Sequence, residues 1–257
     1  MGGEMAVELG AVDSLSNLVK PDVVIAHQNM CAEDIRNRWR DVPIVFSAHG
    51  VIPKHEQPPK CDVQAYTAIN EDVRLNLMSY GIDQSQIEIV RDFVDTEIFR
   101  PYVPANDILT RVLFISNFKK GDTYPIVVQA CEKAHVHLAA IGAPYGRSRH
   151  VESDINEADL VISTARGVLE AMSCARPVIS FGQMRGDGYL KPEVYMRSRT
   201  RNFAGEKCAC SFDAHQLARE MGHYSPVDGQ INRMLVLEHH DVKRGVDKLL
   251  EIIHRIV

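Results

Sequence analysis

One segment, Glu157 to Ser180, restricts the fold more than any other part of this chain. It reads Glu-Ala-Asp-Leu-Val-Ile-Ser-Thr-Ala-Arg-Gly-Val-Leu-Glu-Ala-Met-Ser-Cys-Ala-Arg-Pro-Val-Ile-Ser. Leu160-Val161-Ile162 is a short, unbroken apolar run, the pattern of a parallel strand buried on both faces. Ser163 to Gly167 is small and polar enough to turn. Val168 to Cys174 suits a short helix, ended by Pro177. Val178 to Phe181 begins the next strand. Such a unit opens a helix at about Gly167, where backbone N–H groups lack intrahelical acceptors and favour an anion. Gly167 has no side chain to hold a ligand away from the backbone. Glu170, one turn further on, can accept hydrogen bonds from the hydroxyls of a sugar.

The same alternation recurs along the chain. Asp22 to Ala26, Pro43 to Ser47, Asp62 to Ile69 and Ile87 to Val90 read as strands. Ala32 to Arg40 and Glu71 to Tyr80 read as helices, the second closed by Gly81. Beyond a linker from Pro101 to Thr110, Arg111 to Ser116 and His137 to Ile141 read as strands around a helix from Tyr124 to Ala134. A helix near Asp213 to Met221 and an amphipathic one from His240 to Val257 complete the pattern. Strands alternating with helices argue for parallel α/β architecture. The 257 residues suffice for one large or two small α/β domains.

Charge and cysteine content exclude some classes. A net charge of −5 argues against nucleic acid as a bulk partner. Cys31, Cys61, Cys131, Cys174, Cys208 and Cys210 form no CxxC pair, and Cys208-Ala-Cys210 alone makes no zinc site. Reduced thiols in a cytosolic protein are the simplest reading. Met1 to Met5 lack the basic and apolar regions of a signal peptide. No apolar run reaches the ~20 residues that span a bilayer. The expected location is the cytoplasm, with peripheral membrane contact through Ile35-Arg-Asn-Arg-Trp-Arg40 left open.

Leu169-Glu170-Ala171-Met172-Ser173-Cys174-Ala175-Arg176-Pro177-Val178-Ile179 resembles the donor-binding motif of GT-B glycosyltransferases, particularly the retaining family-4 type. That motif reads Leu-Glu-Ala-Met-x-x-Gly-x-Pro-Val-Ile, and only its Gly is changed here, to Ala175. Asp92-Phe-Val-Asp-Thr-Glu-Ile-Phe-Arg-Pro101 resembles the family's Asn-Gly-Val-Asp-x-x-x-Phe-x-Pro, with Asp92-Phe93 in place of Asn-Gly. Gly142-Ala-Pro144 resembles its Gly-x-Gly-Pro. The resemblance implies an α/β, GT-B-like fold of two Rossmann-like, doubly wound parallel-sheet domains. The first is reduced, because Pro21-Asp-Val-Val24 comes almost at once. The expected domains are an acceptor-side 1–106 and a nucleotide-sugar-binding 107–257, with the last helix packing back on the first. The implied activity moves a sugar from a nucleotide diphosphate sugar to an unidentified saccharide, lipid-linked or protein acceptor, with retention. Two alternatives stay open: a non-catalytic nucleotide-sugar-binding protein or partner subunit, and a sugar-nucleotide epimerase of the same fold.

The resemblance also assigns residues. His49 follows a strand, on the side where parallel sheets bind ligands, and matches a family His beside the transferred sugar. A surface histidine is the plain alternative, and His27 after the first strand is balanced between the two. Lys120 keeps the family's Lys before Gly, and Lys119 adds a charge. Both would neutralise the departing diphosphate, whose charge develops in the transition state. Ser116-Asn117 replaces the family's Gly-Arg, so Asn117 stands where a cation is usual. Glu170 matches the second Glu of a two-glutamate motif and would hold the ribose. The first would fall eight residues earlier, on Ile162, and is missing. Arg166 offers a diphosphate contact in its place. Gly167 and the following N–H of Val168 would meet the diphosphate, with Gly142 beside the donor. No His/Asp/Glu cluster has metal spacing, and no metal or cofactor is expected; the nucleotide sugar is a substrate. Arg197, Arg199 and Arg201 alternate as on one face of a strand, either solvated or facing an anionic acceptor. A reduced first domain would expose a sheet edge able to pair with a second copy.

Overall fold

The computed structural model describes residues 19–117, 123–183, 185–204 and 210–257. It divides into two compact units. One comprises the described residues up to Val90 together with Lys248–Val257, and the other is Arg91–Asp247.

The first unit is built on a four-stranded parallel sheet in the order β1 (Val24–Ala26), β2 (Ile44–Ala48), β3 (Ala65–Ala68), β4 (Ile87–Ile89). Every residue of β2 and β3 is buried, which is why they read as continuous runs rather than alternating ones. Helix α1 (Asn29–Arg38) joins β1 to β2, and α2 (Glu71–Ser79) joins β3 to β4. Asn70 caps α2 by accepting the Val73 N–H at 2.9 Å. The core gathers Ile44, Phe46, Tyr66, Leu77 and Ile87. Helix α9 (Val242–Ile256) closes the chain. Within this unit its Lys248 Nζ donates to the Ile89 carbonyl at 2.6 Å, and its Arg255 pairs with Glu88 at 2.9 Å.

The second unit holds six strands in the order β10 (Cys210–Ser211), β9 (Arg185–Tyr189), β8 (Val178–Gly182), β7 (Leu160–Ser163), β5 (Arg111–Ile115), β6 (His137–Ile141). Strands β6, β5, β7 and β8 are parallel, while β9 and β10 join antiparallel at one edge. Leu113, Val161 and Val178 pack on one face with α5 (Arg166–Ser173) and α8 (Pro226–His239). Val112, Phe114, Leu160, Ile162, Ile179 and Phe181 pack on the other with α3 (Thr123–Ala134) and α7 (Ala214–Met221). This period-two division buries both faces and makes the unit doubly wound. α4 (Val151–Glu157) precedes β7, and α6 (Pro192–Ser198) follows β9.

Four local readings change. Arg197, Arg199 and Arg201 are not on a strand: α6 starts with Pro192 at its first turn and runs into a 3-10 turn, Arg199–Arg201. Residues two apart do not share a face there. Strand β9 escapes notice because it is Arg-Gly-Asp-Gly-Tyr; a Cβ on Gly186 would lie 1.9 Å from the Ser180 carbonyl oxygen. Helix α1 begins at Asn29, three residues before Ala32. Helix α5 starts at Arg166 and stops at Ser173, ahead of Pro177. Its end is a left-handed Ala175, φ 56°. The Arg176 N–H then donates to Ala171 O at 3.0 Å and the Ala175 N–H to Met172 O at 2.9 Å, the pattern of a Schellman cap.

Residues 91–106, given by the sequence to the end of the first domain, belong with the second unit. Buried side chains hold them there. Arg176, 1% exposed, donates to Val103 O at 2.6 Å and to Ile155 O and Asn156 O, carbonyls at the C-terminus of α4, where the helix dipole favours a cation. Asp159 accepts from the N–H and side-chain amide of Asn106, the N–H and hydroxyl of Thr110, and the N–H of Arg111, at 2.7–3.2 Å. The described cysteines Cys31, Cys61, Cys131 and Cys174 are free. Burial pushes the thiols of Cys131 and Cys174 up to about 12, which makes them unreactive.

Burial opposes the charge on Asp159, but bonds from Thr110, Arg111 and Asn106 outweigh it and hold the carboxyl below its ordinary value. We expect Asp159→Ala to cost about 2 kcal/mol in urea unfolding at neutral pH, because five part-buried hydrogen bonds to one carboxylate are lost. The difference from wild type should be fully present above about pH 3.9, the unfolded value. It should shrink as pH falls through the lower folded value.

Candidate functional site

The second sheet reverses its direction of winding at β5. The chain leaves β5 for β6 on one side, then returns to place β7 on the other. A parallel sheet opens a crevice beyond the carboxyl ends of its strands where the order reverses. The polar groups at those ends are arranged by named contacts. The Asn117 Oδ1 after β5 accepts the Ala143 N–H after β6 at 3.1 Å. The Ser163 hydroxyl at the end of β7 donates to Ile115 O of β5 at 3.0 Å.

Two glycines are required here. Gly142 has φ +124°, and a Cβ on it would lie 2.0 Å from Ser116 O. It begins a closed turn in which Gly142 and Gly146 exchange N–H···O bonds, both 3.0 Å. A Cβ on Gly167 would lie 2.2 Å from the Ser163 hydroxyl oxygen, the group that ties β7 to β5. Both glycines are therefore required by close packing against the ends of β5 and β7.

Helix α5 springs directly from the end of β7 through Ser163, Thr164 and Ala165. Ala165 is held at φ 50°, ψ −128°, a region that strongly favours glycine. Its N–H donates to Phe203 O at 3.2 Å, and its carbonyl accepts the Val168 N–H at 3.0 Å. Phe203 and its neighbour Asn202 also have positive φ, both 55°, and Asn202 Nδ2 donates to Asp92 Oδ2 at 2.7 Å. Val168 is fully buried and its N–H is already paired. It serves the core and the cap rather than offering a free donor. The first two helical N–H groups, of Arg166 and Gly167, are the ones that helix geometry leaves without an intrahelical acceptor.

Glu170 sits one turn above them with its side chain 14% exposed. Arg166 Nε donates to Glu170 Oε1 at 2.9 Å, from a guanidinium that is 67% exposed. Burial raises the Glu170 carboxyl above its ordinary value, and Arg166 offsets part of the rise. Ile162, where a second glutamate would fall, is fully buried in the core. Asn117, Gly142, Arg166, Gly167 and Glu170 thus all lie on the loops and helix that follow three adjacent strands. Lys119 and Lys120 lie outside the described residues.

His49 belongs to the first unit and follows β2. It is half-buried, and its Nε2 lies 2.8 Å from Nδ1 of His27, which follows β1. Among the described residues no group of three or more His, Cys, Asp or Glu side chains is placed to hold a metal ion. None of the described helices is long and apolar enough to cross a membrane.

No family model and no curated protein matches the sequence. Solved structures do match. HepE from Anabaena, crystallised with UDP and glucose, aligns with a TM-score of 0.64 at 13% identity, over 91% of this chain and 77% of its own. Sucrose-phosphate synthase from Thermosynechococcus elongatus aligns with a TM-score of 0.62 at 11% identity, over 91% and 73%. A putative UDP-N-acetylglucosamine 2-epimerase from Listeria monocytogenes gives 0.51 at 13% identity, over 91% and 74%. The chain has the GT-B fold. In that fold the two units correspond to its two Rossmann-like parts, and α5 is the helix after the central strand of the second.

The Arg166–Glu170 pair can be checked alone. Carbon-13 NMR of the Glu170 carboxyl should show a higher midpoint in Arg166→Ala than in wild type, because burial remains and the offsetting cation is gone. An unchanged midpoint would show that the pair is not formed in solution.

Proposed function

We propose that this chain is a glycosyltransferase that uses a nucleotide diphosphate sugar and transfers the sugar with retention. The observation that carries the reading is the opening of α5 at the β5/β7 reversal. There a largely buried carboxylate and an exposed guanidinium, bonded to each other, stand beside two obligatory glycines. A diphosphate suits the N–H groups of Arg166 and Gly167 and the free end of the Arg166 guanidinium. A ribose suits Glu170, which can accept two hydroxyl bonds once Arg166 turns to the phosphates. HepE crystallised with UDP, and with UDP and glucose, supports uridine nucleotides as the first ligands to try.

In this reading the bond between the anomeric carbon and the diphosphate oxygen breaks while the acceptor oxygen bonds to the same face. The acceptor proton passes to the leaving phosphate. Lys119 and Lys120 meet the growing charge on the diphosphate, where each cation acts mainly on the transition state. The acceptor is left undefined.

Non-catalytic binding is the second reading. It is favoured by Asn117, a neutral group already engaged by Ala143, and by Ile162 in the core. An epimerase reading draws on the same fold.

A thermal-shift panel of UDP, UDP-sugars and their GDP and ADP counterparts decides first. A ligand at one hundred times its Kd stabilises by about 2.7 kcal/mol, worth several degrees in a chain of this size. We expect one base series to raise the Tm of wild type and Glu170→Ala to lose most of the rise. Silence from every nucleotide would overturn the donor-site reading. Binding without transfer to any acceptor would favour the second reading, and conversion of the sugar nucleotide without acceptor the epimerase.

A further inference from the structure

Two histidines that follow neighbouring parallel strands of the first unit meet ring to ring. Ala26 pairs with Phe46 in the β1–β2 register, so His27 and His49 emerge side by side at the carboxyl edge. Their Nδ1 and Nε2 atoms are 2.8 Å apart. The ring centroids are 5.0 Å apart with planes inclined by 30°. One nitrogen of such a contact must donate and the other accept, so a single proton lies between them. His49 Nε2 also lies 3.3 Å from the Ser47 hydroxyl, which accepts from Thr67 Oγ1 at 2.9 Å. Ser47 and Thr67 are buried. Both contacts converge on one nitrogen, so the His49 ring is held at Nε2 by the Ser47 hydroxyl of β2 and by His27 after β1.

Other charged groups stand near by. The 3-10 turn Lys54–Glu56 carries Lys54, His55 and Glu56, and is tied to the start of α1 by Asn29 Nδ2 on Lys54 O at 2.8 Å. Helix α1 itself carries Glu33, Asp34, Arg36 and Arg38. The charge that acts on His27 is nonetheless that of His49: loss of hydration and then His49 hold the His27 imidazole below its ordinary value.

We propose that His27 is a positioning residue for His49. The bond joins two imidazoles into one unit with one shared proton, orients the His49 ring, and leaves its Nδ1 as the nitrogen that meets a ligand hydroxyl. The inference rests on the sugar-facing part given to His49, yet the pairing is observable with no ligand present.

The test is long-range proton–nitrogen NMR of the histidine side chains in the full chain, between about pH 5 and 8. Wild type is compared with His27→Phe, His27→Asn and His49→Asn, each checked for an unchanged melting curve. In wild type we expect His27 to titrate below about 6.5. The His27 midpoint should rise in His49→Asn, because the charge that lowers it is gone while its burial remains. His27→Phe should leave His49 with mixed tautomers, and His27→Asn, which keeps a polar partner, should restore one. A His27 midpoint that ignores His49→Asn, or one His49 tautomer in all variants, would overturn the proposal. Coupled rings in a chain that ignores every nucleotide sugar would uphold the pairing and overturn the donor reading instead.

Discussion

Everything in the second unit depends on a sheet buried on both faces. Once Leu113, Val161 and Val178 face one helical layer and Phe114, Ile162 and Ile179 face the other, a polar group along the strands must be paired, as Ser180 is with Phe203 O. Backbone and side-chain polarity is displaced to the strand ends. The winding then decides which end matters. Because β6 and β7 flank β5 on opposite sides, α3 after β5 and α5 after β7 pack on opposite faces of the sheet, and a crevice opens at the β5 and β7 ends. The site is the place where burial stops.

That place is held under strain. A non-glycine residue in the conformation of Ala165 costs of order 1–3 kcal/mol, and two more positive-φ residues, Asn202 and Phe203, stand behind it. They are not independent. The Phe203 carbonyl accepts from both Ala165 N–H and the Ser180 hydroxyl, each at 3.2 Å. Asn202 is fixed in turn by Asp92. The linked bends fix the first turn of α5 without any contact from a ligand, so its N–H groups are ordered in advance.

The sequence made these strands legible for the same reason that it hid parts of the site. A strand buried on both faces must be an unbroken apolar run, so β2, β5, β7 and β8 could be read directly. The glycines at 142 and 167 were legible because a missing side chain is itself a signal. Strand β9 was not, since its inward positions are glycines and backbone packing replaces the side-chain pattern. The three arginines misled because period two in charge marks a strand only when the intervening residues are buried. Backbone acceptors such as Phe203 leave no trace in residue type, and the meeting of His27 with His49 needs the strand register. The Val168 N–H was expected to be free; a strained cap, invisible in composition, closes it.

The departures from the family pattern are coupled rather than scattered losses. Ala175 occupies the left-handed position that ends α5, where glycine costs nothing and alanine about 1 kcal/mol. The next residue is Arg176, whose guanidinium reaches three backbone carbonyls. Those bonds, to a charged donor, contribute roughly 1.5–3 kcal/mol each against the cost of burying it. Gly229 completes the arrangement, since a Cβ there would lie 2.2 Å from the Ala175 carbonyl oxygen. The end of α5 is therefore pinned by packing and by Arg176 instead of by a flexible glycine. Its opening is pinned by Ala165 and Phe203. A helix fixed at both ends cannot adjust its position to a ligand, so the adjustable elements are side chains, and Arg166, exposed and bonded to Glu170, is the one with freedom to move.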